Sequence, residues 1–101
     1  MKEKAKKTPY VVIRSDMAGV LCGVLVAQDE HRTELAEARI IWEWQGDGIE
    51  TVHDISVIGA GAHAKVSRPV AHAWFRGCAG EETIETTAEA EASLRAATWA
   101  K

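Results

Sequence analysis

A chain of 101 residues has room for one hydrophobic core, since two half-sized cores would each bury too little area to offset chain entropy. Hydrophobic residues make up 47% of it, but many are alanines that bury little area, so larger apolar side chains must be used efficiently or association must add burial. Lys2, Lys4, Lys6 and Lys7 stand against Glu3 at the start, so the net charge of −3 leaves a body of −6, which argues against a duplex nucleic-acid surface of clustered Lys and Arg.

Residues 1–8 read as a basic, solvated leader and residues 9–101 as a single domain. Tyr10-Val11-Val12-Ile13-Arg14 is a β-branched and aromatic run that predicts the first strand, with Pro9 at its edge. Ser15 to Gly19 reads as a turn. Val20 to Ala27 predicts a second strand interrupted at Gly23 by a bulge or a close backbone approach. Gln28 to Arg32 is polar enough for a hairpin turn, and Thr33-Glu34-Leu35 pairs back against the second strand. Ala36 to Trp44 is expected to be a strand kinked near Ala36 to Ala38, ended by Gln45-Gly46-Asp47-Gly48.

Ile49, Val52, Ile55 and Ile58 recur every three residues, which predicts a short helix broken by Gly59-Ala60-Gly61-Ala62. Val70 to Arg76 reads as another strand, and Thr83-Ile84-Glu85-Thr86 as a continuation of the sheet. Thr86 with Glu89 three residues later reads as a capping box that opens an alanine-rich helix running to Trp99, with Ala90, Leu94 and Ala97 as a thin apolar stripe. The expected fold class is α+β: an antiparallel β-sheet of about five strands with a short inserted helix and a C-terminal helix.

No apolar run approaches the roughly 20 residues that span a bilayer, so neither a membrane partner nor a secretory signal is expected. The host cytosol is the expected compartment, with Cys22 and Cys78 reduced and used as small packing residues. His53-Asp54, His63, His72, Cys22 and Cys78 lack metal-ligand spacing, so no metal or cofactor is expected. No serine stands in a Gly-x-Ser-x-Gly elbow, and Cys22 sits in an apolar strand where its thiolate would be scarce. Asp47, Glu50 and Asp54 suit capping, and Gly59 to His63 lacks the Lys-Ser/Thr ending of a phosphate loop.

Two binding surfaces stand out. Trp42 and Trp44 are two apart, so on a strand both indoles share a face suited to stacking a base or anchoring a partner, with Arg14 and Arg39 supplying phosphate contacts. A domain with a single Phe and a single Tyr also needs its tryptophans inside, which favours a core or oligomer-interface role for the pair. Glu81, Glu82 and Glu85 are the acids with which the body would mimic nucleic acid toward a host protein. Four tryptophans and the alanine-rich helix predict a homo-oligomer.

Tyr10-Val-Val-Ile-Arg14, Ala18-Gly19, Gly23, Leu35, Ala38-Arg39-Ile40-Ile41-Trp42-Glu-Trp44 and Trp99 resemble, in that order, a family of small phage and prophage proteins. Its members open on a YVIIRTYSAGVHxG type stretch and carry NARRIWYW further on. Ser15-Asp16-Met17 replaces the family's Thr-Tyr-Ser here, and Glu43 stands where an aromatic is common, so ligand identity does not carry over. The resemblance implies an origin in mobile genetic elements, whose small accessory proteins often inhibit bacterial defence. The expected function is non-catalytic binding, as an inhibitor of an antiviral defence system that engages a host defence protein or a small nucleotide signal. A small hydrolase of a signalling nucleotide and a phage structural or accessory protein are the alternatives.

Overall fold

The computed structural model describes residues 9–15, 19–29, 31–46, 48–61, 64–76 and 81–97. The basic leader, Asp16-Met17-Ala18, Asp47, His63, Cys78 and Trp99 lie outside the described residues. In chain order the elements are β1 (Tyr10–Ser15), β2 (Gly19–Gln28), β3 (Arg32–Trp42), α1 (Val52–Ile58), β4 (Lys65–Val66), β5 (Val70–Arg76), β6 (Glu82–Glu85) and α2 (Ala88–Ala96). The architecture is α+β: a 6-stranded sheet in the order β4-β3-β2-β1-β6, with β5 also paired to β3. Every pairing is antiparallel.

The interruption expected at Gly23 is a register shift between Cys22 and Val24. A Cβ on Gly23 would lie 3.0 Å from the Ala36 carbonyl oxygen, so a side chain here would press on a backbone that has to give way. Directly across, the kink expected near Ala36 to Ala38 falls on Glu37, whose φ of 54° is that of a bulged residue.

β1 is buried on both sides, which is why it reads as a continuous apolar run rather than an alternation. Tyr10 and Val12 join Cys22, Ile41, Ile49, Val52, Ile55, Val66 and Leu94 beneath the helices. Val11 and Ile13 join Leu21, Leu35 and Ala38 on the other face, with Leu25, Ala73 and Phe75 packed against them. That second face is covered because the sheet rolls on itself. In a flat sheet β3 and β6 would be three strand spacings apart, about 14 Å. Instead Thr33 Oγ1 on β3 donates at 3.2 Å to Glu81 Oε1, one residue before β6, and Gln28 Nε2 at the end of β2 donates at 2.8 Å to Thr83 Oγ1 on β6.

Both helices form where the periodicity predicts, with different caps. α1 begins at Thr51, whose hydroxyl accepts from the Asp54 amide while the Asp54 carboxylate accepts from the Thr51 amide, so the capping box sits here. α2 is capped by Thr87 rather than Thr86, because the Thr86 hydroxyl is taken by the Tyr10 carbonyl at 2.8 Å. Ala90 and Leu94 are its buried stripe, and it ends at Ala96. No helix of the described residues is long and apolar enough to cross a membrane.

Candidate functional site

The residues singled out from the sequence do not converge. β3 ends at Trp42, and Glu43 turns the chain through a φ of 52°, so Trp42 and Trp44 do not share a strand face. Trp42 is 55% exposed, whereas Trp44 packs against the cluster beneath the helices. Arg39 is buried, and its guanidinium donates to the carbonyls of Ser67 and Leu94, both at 2.7 Å, and to those of Arg95 and Ala97. Leu94 and Arg95 belong to the last turn of α2 and Ala97 follows it, and among the described residues only the Leu94 carbonyl of these three also accepts from a backbone amide, that of Ala97. Arg39 therefore fastens α2 to β3.

Arg14 is exposed and lies 3.6 Å from Glu82, whose other oxygen is 2.7 Å from His53 Nε2. The His53 hydrogen bond, with Arg14 beyond it, holds the Glu82 carboxyl below the usual carboxylate range. These groups line a depression of about 450 Å³ with Thr51 and Val52. Glu82 is thus engaged at both oxygens, Glu81 meets Thr33, and Glu85 is exposed, so the three acids form no single array.

A different group does converge. Tyr10, Val24, Ala36 and His72 are successive cross-strand partners and form one row on the helix-covered face of the sheet. Further along β3 and β5 the same face presents the pairs Glu34–Trp74 and Arg32–Arg76, since residues two apart share a face. The helices pack over β1, β6 and the C-terminal end of β3, and this ladder projects past them. Trp74 is 61% exposed, the largest value among the described large apolar side chains. The Arg32 guanidinium lies over its ring, 5.8 Å from the centroid. Glu34 is 3.6 Å from Arg32 and 3.8 Å from His72. His31, Arg32, Trp74, Phe75 and Arg76 line an open depression of about 680 Å³.

The turn before β3 fixes this arrangement. The Asp29 carboxylate accepts from the amides of His31 at 2.8 Å and Arg32 at 2.9 Å, and those bonds lower its pKa. Two arginines directly opposite each other repel, which costs a sheet some stability and favours an anion between them. The group offers an aromatic face beside two planar cations, a combination that stacks a flat ring and binds an acid.

None of Arg32, Trp74 and Arg76 belongs to the surfaces expected from sequence. A signal existed: within the expected strand Val70 to Arg76, His72, Trp74 and Arg76 alternate and so share one face. Arg32 was hidden because its register against β5 depends on a non-local pairing.

Chemistry elsewhere is muted. Tyr10 Oη donates to Cys22 Sγ at 3.4 Å, and burial raises the pKa of both groups. A thiol so placed is a poor nucleophile. Among the described residues no three His, Cys, Asp or Glu side chains gather to hold a metal ion. Residues 8–94 match the family described as Domain of unknown function (DUF6948). No curated protein and no solved structure matches the chain.

Proposed function

This chain belongs to the DUF6948 family, and we propose that it is a non-catalytic binding protein of phage or prophage origin. It inhibits a bacterial antiviral defence system by occupying a host protein or a nucleotide signal. The observation that carries the reading is the placement of two tryptophans in solvent, Trp42 at 55% and Trp74 at 61% exposure. A chain with so few aromatic residues gains most by burying them, and an indole left outside forgoes a large share of that stabilisation. Exposed Trp beside Arg is the composition of binding surfaces. The suppressed reactivity of Cys22 supports binding over nucleophilic catalysis. The phage setting is supported by the resemblance of Tyr10 to Arg14 and of Ala38 to Trp44. Ile40 and Trp42, exposed two apart on β3, are the surface on which a homo-oligomer would be built.

The test is phage plating on bacteria that carry a panel of defence systems, with and without the chain. Plating restored against at least one system, and lost again in Trp74→Ala, is the expected result. Unchanged plating across the panel, or catalytic turnover of a nucleotide by the purified protein, would overturn the proposal.

A further inference from the structure

We infer that the face formed by Arg32, Trp74 and Arg76 is a nucleotide site, with the base stacked on the Trp74 indole and the phosphate held by the two guanidinium groups. The inference rests on the binding reading above and names its ligand class. Trp74 has 61% of its surface in solvent, so the indole has ring area to offer a base. Arg32 and Arg76 are direct cross-strand partners, and Arg76 meets no carboxylate among the described residues. Paired strands thus hold two like charges together in a body whose net charge is acidic, an arrangement that an anion relieves.

Glu34 sets the orientation. Its carboxylate faces Trp74 from β3 and approaches Arg32 only to 3.6 Å, longer than a good charge-assisted hydrogen bond. So loose an exposed pair is cheaply exchanged for a phosphate. Repulsion by Glu34 directs the phosphate along the strands toward Arg76 and leaves the base over Trp74. The depression of about 680 Å³ falls within the usual range of small-molecule sites, roughly 300–1,000 Å³. Trp42 has no equivalent surroundings: its cross-strand partner Lys65 lies 3.1 Å from Glu43.

The test is calorimetric titration of the full chain with ATP, cyclic di-AMP, adenosine and inorganic pyrophosphate. At least one of the two nucleotides saturates the protein, while adenosine and pyrophosphate each bind at least roughly tenfold more weakly. Trp74→Ala weakens the nucleotide roughly tenfold or more and leaves pyrophosphate unchanged. Arg76→Gln weakens both nucleotide and pyrophosphate, and Val57→Ala, at an exposed position on α1, changes neither. Thermal melts of the three variants, all at exposed positions, confirm that they fold.

Failure of both nucleotides to saturate, or equal losses in Val57→Ala and Trp74→Ala, overturns the site. Nucleotide that binds and is recovered after denaturation as hydrolysed product sinks the non-catalytic reading and keeps the site. Restored phage plating that needs Trp74, with no nucleotide bound, sinks the site and keeps the reading.

Discussion

Arg39 and Arg32 lie on the same strand and point to the same face of the sheet, yet they do opposite things. Arg39 lies under α2 with its guanidinium engaged by four main-chain carbonyls. Arg32 lies past the helices, over an exposed indole and across from a second arginine. The covered end is rich in directed bonds that order the fold. The open end holds two arginines opposite each other, with one loose carboxylate beside Arg32. Coverage by the helices, rather than residue type, separates a structural arginine from one available to a ligand.

If that contrast is right, substitutions at the two ends differ most in stability. Arg39→Ala takes the guanidinium donor from the Arg95 and Ala97 carbonyls at the end of α2 and is expected to cost about 3 kcal/mol or more in urea denaturation. A loss below about 1 kcal/mol would show that the clamp is not what seats α2. Gly23→Ala places its Cβ 3.0 Å from the Ala36 carbonyl and is expected to cost about 1–3 kcal/mol, a smaller effect because neighbouring β3 already bulges there. A neutral outcome would show that the two strands are not held so close.

At the open end the sign reverses. Arg76→Gln removes a like-charge pair and is expected to leave stability unchanged or raise it by up to about 0.5 kcal/mol at low salt. A clear loss would mean that Arg76 has a structural partner. The smallest effect is on pH. The Glu82 carboxyl is held below its ordinary value in the folded chain, so its contribution is present above the unfolded pKa and is lost as pH falls through the folded one. The melting temperature therefore falls on acidification through the carboxylate range, and Glu82→Gln shows a shallower fall. Asp29 and Asp54, lowered by hydrogen bonds from backbone amides, add to that slope. An identical slope in Glu82→Gln would remove His53 and Arg14 as stabilising partners.

Much of the fold was legible because its signals are local. The run Tyr10 to Arg14, the glycine at 23, the kink at Glu37, the three-residue period of α1 and the stripe Ala90–Leu94 all fall where backbone preference and burial agree. What escaped depends on contacts distant in sequence. The roll of the sheet shows only in bonds such as Gln28 to Thr83. Thr86 lost the cap to Thr87 because Tyr10, on another strand, takes its hydroxyl. The expected shared face is broken for the same reason: Trp42 and Trp44 alternate in sequence, but the turn at Glu43 sends one outward and the other against the core. Arg39 looks like a surface cation until α2 is laid across it.

The most direct measurement follows the four tryptophan indole N–H signals and the arginine Nε–H signals by NMR as ATP or cyclic di-AMP is added. Shifts confined to Trp74, Arg32 and Arg76, with Arg39 and Trp42 unmoved, are the predicted result. Shifts centred on Trp42 or Arg14, or none with either nucleotide, would contradict it.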